Sequence, residues 1–134
     1  MTAKEYLSQA FWIDVSIGSK LEQIESLNAL ATRATTTFSQ TPSTGTRNVH
    51  STEDIIVKII DLEETIRRDM EEQVDKKRKI AGAIRSVEDT EYRSLLEKRY
   101  LSFKKWEDIA DEMHVSLRTV YRMHGEALKK VCVS

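Results

Sequence analysis

The C-terminal stretch WEDIADEMHVSLRTVYRMHGEALKKV, residues 106–131, contains two short amphipathic patterns separated by a turn. In the first pattern, Ile109, Ala110 and Met113 share one helical face and acidic residues occupy the other, which predicts a short helix buried on one side. Two such helices joined by a tight turn are typical of a helix-turn-helix. The second pattern, from residue 116 onward, has an inner apolar stripe at helical spacing, formed by Val120, Met123, Ala127 and Val131.

The residues between the two patterns suit a tight turn and a helix start. His114 is the candidate for the positive φ that such a turn needs, because His adopts this conformation more often than most residues, although less readily than Gly. Val115 is predicted to fill the core between the two helices. Ser116 is predicted to be the N-cap of the second helix, accepting a hydrogen bond from the backbone N–H of Thr119 or its neighbour.

The outer face of the second helix carries side chains that are able to read DNA. A guanidinium matches the O6 and N7 edge of guanine, and each such pair contributes roughly 1–3 kcal/mol of discrimination, a role that we assign to Arg118 and Arg122. Tyr121 is predicted to contact a phosphate or a thymine methyl, and Ser116 and Thr119 a phosphate. The alternative is an ordinary solvated face. The predicted DNA-binding residues are Ser116, Leu117, Arg118, Thr119, Tyr121 and Arg122.

The run LLEKRYLSFKKWEDIADEMHVSLRTVYRMHGEALKKV resembles region 4 of bacterial sigma factors, and the resemblance covers about residues 89–131. The matching pairs are Ile109-Ala110, Val115-Ser116 and Thr119-Val120, whereas His114 stands where Gly is usual. The chain is more similar still to small sigma-like proteins of Gram-positive phages and prophages, which include late-gene transcription activators. The resemblance implies that the second helix reads a promoter element. It does not imply promoter melting, because no sigma region 2 is present.

Residues 3–35 are predicted to form one long helix, because they contain almost no residue that breaks helices. Gly18 weakens this helix by about 1 kcal/mol relative to Ala. Phe11 and Trp12 either form a partner-binding patch or, as we prefer, pack within the molecule or its dimer. The apolar seam of this helix steps by three or four residues, as in a coiled coil, through Tyr6, Ala10, Ile13, Ile17, Leu21, Ile24, Leu27, Ala31 and Ala34.

A second long helix is predicted after a flexible loop at about residues 36–50, which is rich in Thr and Ser and contains Pro42. Ser51 or Thr52 is suited to cap that helix. We expect the two helices to form a long antiparallel, coiled-coil-like hairpin. Because such a hairpin has little core, we also expect a homo-oligomer, in the simplest case a dimer. The second seam is formed by Ile55, Ile59, Leu62, Ile66, Met70, Val74, Ile80, Ala81, Ile84 and Val87.

The second helix contains a basic cluster, Lys76–Lys79, followed by Gly82. The cluster either contacts phosphates or, as we prefer, belongs to a solvated helix with pairs such as Glu72 with Lys76. Gly82 is either a hinge or a small residue at a helix crossing. A further helix is predicted from the cap Asp89 or Thr90 to about Leu101.

The predicted fold is therefore all-α, with a hairpin over residues 1–87 and a small helix-turn-helix domain over residues 88–134. No enzyme is expected, because the three histidines lack metal-ligand spacing and the four glycines form no phosphate loop. We expect no cofactor and no metal. A single cysteine, Cys132, and the lack of a signal peptide favour the reducing cytoplasm, and no segment predicts a membrane helix.

The sequence favours a sequence-specific regulator of transcription that binds double-stranded DNA with residues 116–131, as a phage or prophage activator does. The net charge of −1 predicts modest non-specific DNA affinity. One alternative is a DNA-packaging accessory similar to a terminase small subunit. Another is a sigma-like module that binds RNA polymerase with little DNA contact.

Overall fold

The computed structural model describes the backbone of residues 1–40 and 46–133 and the side chains of residues 1–36 and 53–133. The fold of these residues is all-α, and no strand occurs among them. The five helices are α1 Ala3–Gln40, α2 Thr46–Arg85, α3 Thr90–Leu96, α4 Trp106–Met113 and α5 Leu117–Lys129. None of the described helices is both long enough and apolar enough to span a membrane.

Helices α1 and α2 extend into the region predicted to be a loop. Residues 36–40 belong to α1 and residues 46–50 to α2, so the predicted cap at Ser51 or Thr52 is wrong. Thr, Ser and Asn each destabilise a helix by less than about 1 kcal/mol relative to Ala. A long helix can therefore continue through these residues. The strong breakers Pro42 and Gly45 lie in residues 41–45, outside the described residues.

Helix α3 continues directly into a π-helical turn, Glu97–Leu101, hereafter the π turn. Its wider hydrogen bond joins the N–H of Ser102 to the carbonyl of Glu97 at 3.0 Å, and just beyond the turn the N–H of Lys104 donates to the carbonyl of Lys98 at 3.0 Å. Phe103 follows with φ 57°, a rare conformation for a residue other than Gly. The predicted helix end near Leu101 is confirmed, but nothing in the sequence indicated a π turn.

The chain divides into two compact units, which do not coincide with the boundary predicted at residues 87 and 88. The first unit comprises Met1–Val15 and Val74–Ser134, and the second comprises Ser16–Gln73. These compact units do not define where independently folding domains begin and end. The predicted boundary therefore stays a prediction.

The first unit contains most of the buried side chains that the structure describes. Leu7, Ala10 and Ile13 of α1 and Ile80 and Ile84 of α2 are buried, and each large aliphatic side chain contributes roughly 1.5–3 kcal/mol by leaving water. An ion pair between Asp14 and Lys77 joins the same two helices. The rest of this core is formed by Val87, Leu95, Leu96, Tyr100, Ile109, Ala110, Val120, Met123, His124, Ala127 and Val131.

The aromatic residues near the start of α1 differ in burial. The ring of Phe11 contacts the ring of Phe103 edge-on, with centroids 5.6 Å apart, so Phe11 packs within the molecule. Trp12 is 69% exposed and contacts Phe11 at its edge. The structure thus shows packing within the molecule for Phe11, whereas packing of Trp12 in a dimer stays a prediction.

The second unit has very little core among its described residues. Only Ile59, Glu63 and Ile66 are buried in it, whereas the seam positions Leu21 and Leu62 are about half exposed. Segments of α1 and α2 line one cavity of about 420 Å³, bordered by Ser19, Glu22, Gln23, Ser26, Leu27, Leu62 and Ile66. The predicted seams are thus confirmed in part, with Glu63 buried at a position that the a/d spacing assigned to solvent.

Candidate nucleic-acid interface

The turn between α4 and α5 has the predicted backbone geometry. His114 ends α4 in the left-handed conformation, with φ 57° and ψ 43°. Its N–H donates to the carbonyl of Asp111 at 3.3 Å, and the N–H of Val115 donates to that of Ala110 at 3.1 Å. The prediction of positive φ at His114 is therefore confirmed, although Val115 is only half-buried.

The predicted N-cap of α5 is also confirmed. Ser116 has an extended backbone, and its Oγ accepts a hydrogen bond from the N–H of Thr119 at 3.1 Å. The two hydroxyl oxygens, Ser116 Oγ and Thr119 Oγ1, are 2.9 Å apart. This cap satisfies one N–H at the start of α5 and fixes the direction in which the helix leaves the turn.

Helix α5 has a buried face and an exposed face, as its sequence predicts. The inner stripe Val120, Met123, Ala127 and Val131 is buried. Helix α5 packs against α3 and α4. Of the six predicted DNA-binding residues, Thr119 is half-buried and the other five are exposed, namely Ser116, Leu117, Arg118, Tyr121 and Arg122. The structure thus places all six within the first two turns of α5 or at its cap.

The two exposed arginines of α5 are not engaged elsewhere in the described part of the chain. Neither Arg118 nor Arg122 forms an ion pair or a side-chain hydrogen bond with any described residue. Arg118 and Arg122 are four residues apart, so they lie one turn apart on the same face. Both guanidiniums are therefore free to bind an external acceptor.

An aromatic contact that the sequence did not predict supports the exposed face. The Trp106 ring contacts the ring of Tyr121 edge-on, with centroids 5.6 Å apart. The Arg99 guanidinium lies 4.3 Å from the centre of the Trp106 ring and also donates to the carbonyl of Lys104 at 2.9 Å. Because Trp106 is itself held by Arg99, the ring of Tyr121 rests on a fixed support.

A second contact missed in the sequence lies behind α5. The Tyr100 hydroxyl and His124 Nε2 are 2.6 Å apart in the interior, and Trp106 packs on the imidazole with centroids 4.6 Å apart. Burial, assisted by the positive charges of Lys4 and Arg99, lowers the pKa of His124 to about 4. Burial raises the pKa of Tyr100. Both side chains are therefore neutral near pH 7.

The acidic face of α4 is partly neutralised by two lysines. Glu112 accepts hydrogen bonds from Lys98 at 2.9 Å and from Lys104 at 2.7 Å. The bonds from Lys104 and then Lys98 are the main cause of the lowered pKa of the Glu112 carboxyl. These lysines are therefore used inside the molecule, and the free positive charge near the turn belongs to α5.

The ion pairs of the basic cluster Lys76–Lys79 are not the expected i,i+4 pairs. Lys77 pairs with Asp14, and Arg78 lies 3.9 Å from Asp75. Among the described residues, the expected pair of Glu72 with Lys76 is not formed. Lys76 and Lys79 are exposed, so the structure leaves the phosphate-contact alternative untested.

No curated protein and no solved structure matches this chain. A family model matches residues 34–131, a span that includes all of α3, the π turn, α4 and α5. Because that match covers more than half of the sequence, the chain belongs to the family described as "Protein of unknown function (DUF1492)".

Proposed function

We propose that this protein is a sequence-specific regulator of transcription that binds double-stranded DNA with the exposed face of α5. In this proposal α4, the His114 turn and α5 are a helix-turn-helix, and α5 is its recognition helix. Arg118 and Arg122 read base edges in the major groove, while Ser116 and Thr119 contact phosphate. Leu117 and Tyr121 provide apolar contact, and a phage or prophage activator acting near a promoter is the role that fits best.

The observation that carries the proposal is the pair of unengaged arginines on a capped, supported helix. Helix α5 buries one face completely, and its start is fixed by the Ser116 cap and the His114 turn. A reading helix needs this rigidity, because bidentate contacts to a base tolerate little misplacement. The resemblance to sigma region 4 adds to the proposal through the same residues.

The two long helices are proposed to form an antiparallel hairpin that pairs with a second copy. Support comes from the cavity that α1 and α2 share in the second unit and from the exposed seam residue Leu21. A dimer matches the two-fold symmetry of many DNA sites that helix-turn-helix proteins recognise. Sedimentation of the full chain tests this part of the proposal.

Selection of DNA fragments by the full-length protein tests the function, at a fixed and roughly physiological salt concentration because phosphate contacts depend on salt. We expect a few enriched sites, and we expect Arg122→Ala to weaken binding by roughly 1–3 kcal/mol and to relax base preference at one position. Arg118→Ala should do the same at another position. Arg68→Ala, which removes an exposed arginine of the second unit, is the matched control and should change neither affinity nor preference.

Two other functions make different predictions in the same experiment. Enriched sites beside packaging genes, together with ring-sized oligomers, would favour a terminase-like accessory. Co-purification with RNA polymerase that resists nuclease and Arg118→Ala would favour a polymerase-binding module. Binding that is unaltered in both arginine variants would show that the proposed docking of α5 is wrong.

A further inference from the structure

The segment of α2 from Glu53 to Glu64, EDIIVKIIDLEE, has six aliphatic and six charged residues, and its aliphatic residues occupy more than one face. A one-sided apolar stripe would bury all of them against one neighbour, but here they extend beyond such a stripe. Among its aliphatic residues only Ile59 is buried and Ile56 is half-buried, whereas Val57 and Ile60 are 55% and 52% exposed. So much exposed aliphatic surface on one helix segment indicates that another molecule covers it.

The exposed residues form one defined surface. Glu53, Val57, Ile60 and Glu64 follow one another at steps of four, three and four residues, so they line a single face of α2. At 100° per residue, this face points away from the direction of Ile59 and Ile66, which are buried. We call these four residues the acidic apolar face.

The charge around this face is predominantly negative. Between Glu53 and Glu64 the chain has five acidic residues and one basic residue, Lys58. The whole second unit, Ser16–Gln73, has ten acidic and six basic residues. Both ends of the apolar pair are therefore bordered by an exposed carboxylate, that of Glu64 lying 3.6 Å from the Arg68 guanidinium, and a complementary surface is expected to be basic at those two points.

The same arrangement disfavours a second copy on this face. A two-fold antiparallel contact centred between Val57 and Ile60 would place Glu53 of one chain opposite Glu64 of the other. A parallel contact would place each glutamate opposite itself. Either contact sets like charges at both borders of the apolar centre, which is destabilising.

We propose that the acidic apolar face binds an amphipathic helix of a partner protein in which aliphatic residues are bordered, one turn away on each side, by Lys or Arg. Aliphatic contact with Val57 and Ile60 supplies affinity, and the carboxylates of Glu53 and Glu64 set the register. This is recognition of a helix by its apolar stripe, with charge giving specificity.

The test uses the full chain and a labelled synthetic peptide of about 18 residues, long enough to be helical when bound, made of Leu and Lys in amphipathic helical order. A scrambled peptide of the same composition and a Leu–Glu peptide are the probe controls. We expect the ordered Leu–Lys peptide to bind at least about ten-fold more tightly than either control at physiological salt.

Two variants locate the site. Val57→Gln combined with Ile60→Gln is expected to weaken binding of the Leu–Lys peptide about ten-fold or more, while Val15→Gln, at another exposed valine in a helix, is the matched control and should not. Glu53→Lys combined with Glu64→Lys should lose the Leu–Lys peptide and gain the Leu–Glu peptide. Circular dichroism verifies that each variant keeps its helix content.

Three results would overturn the proposal. Equal binding of the scrambled peptide would mean that charge alone attracts the probe. Unchanged affinity in the Val57→Gln, Ile60→Gln variant would place the binding elsewhere. A dimer that sedimentation detects in the wild type and that this variant dissociates would show that a second copy occupies the face. DNA selection by the same variant is expected to be unchanged, which separates this result from the role of α5.

Discussion

His124 illustrates how one buried side chain couples stability to pH. Its pKa in the folded chain is about 4, below the ordinary 6.5, because the charged form is poorly solvated in the interior. Its neutral form therefore stabilises the fold fully above pH 6.5, and this contribution is lost as the pH falls toward 4.

We therefore expect acid to destabilise the wild type more than His124→Gln. Between about pH 7.5 and pH 5, the wild type should lose about 2 kcal/mol more unfolding free energy than the variant, as measured by urea unfolding. His114→Asn is the matched control, because His114 is exposed and Asn tolerates the left-handed conformation, so it should keep the wild-type pH dependence. Identical pH dependence of wild type and His124→Gln would contradict a buried neutral imidazole.

Among the helix elements, the start of α5 combines a structural and a proposed functional role at Ser116. Ser116→Ala removes the oxygen that accepts from the N–H of Thr119, and we expect a loss of about 1 kcal/mol in unfolding free energy. Ser116→Asp keeps an acceptor and adds a charge that suits a helix N-terminus, so stability should be retained. The same charge lies beside Arg118 and Arg122 and would repel phosphate, so DNA affinity should fall.

Urea unfolding and DNA titration of the same samples separate these two effects. Asp89→Ala is the matched control, because Asp89 caps α3 by accepting from the N–H groups of Glu91 and Tyr92. Asp89→Ala should lower the unfolding free energy by a similar amount and should leave DNA affinity unchanged. Full DNA affinity in Ser116→Asp would count against an approach of DNA to this end of α5.

Helix α2 contains Gly82, for which the sequence left two roles open, and the structure excludes one of them. Gly82 is exposed, and a Cβ added there would meet no atom within 4 Å, so it is not a small residue at a helix crossing. Gly82→Ala is therefore expected to raise the unfolding free energy by about 0.5–1 kcal/mol, since Ala costs a helix less entropy.

Thermal or urea unfolding measures this gain in unfolding free energy. Gly18→Ala in α1 is the matched control, because a Cβ added at Gly18 also meets no atom within 4 Å. If Gly82 acts as a hinge, DNA affinity should fall in Gly82→Ala while stability rises. A drop in stability would mean that the helix needs glycine at this position for a reason absent from its surroundings.

The elements that the sequence predicted well are those fixed by neighbours along the chain. The His114 turn, the Ser116 cap and the inner stripe of α5 depend on residues at most a few positions apart, so local pattern is sufficient. The contact of Tyr100 with His124 joins residues 24 positions apart, and the π turn has no known composition signal in this chain. Neither follows from periodicity.

The long helices show a different limit of sequence reasoning. Their existence was predictable, but the a/d rule assigned Leu62 to the seam and the structure buries Glu63. Several apolar residues of α2 share no single stripe, so spacing alone could not decide which of them pack inside. Val57 and Ile60 lie outside the predicted seam, and both are exposed.

For the molecule as a whole, burial predicts that stability is unevenly distributed. Helix α2 crosses from the second unit, where only three described residues are buried, into the first unit at Val74. We expect amide hydrogens over residues 53–73 to exchange at least about ten-fold faster than those over residues 76–85, although both belong to one helix.

Hydrogen exchange followed by mass spectrometry on the intact full chain measures this difference, and α1 offers an internal control. Residues 5–15 of α1 should be protected more strongly than residues 20–36. Uniform protection along α2 would contradict the prediction. Addition of the Leu–Lys peptide should slow exchange over residues 53–64 if the acidic apolar face binds it.

The π turn makes this part of the chain sensitive to its length. A π turn holds one residue more per hydrogen-bonded ring than an α-helix, so a chain lacking any one of residues 97–101 could close as a regular α-helix. Such a deletion would change the direction of the side chains that remain within the turn by up to about 100°. Arg99 and Tyr100 lie in this turn, so their contacts with Trp106 and His124 depend on the extra residue. The direction of these two side chains is therefore set by the number of residues in the turn as well as by their type.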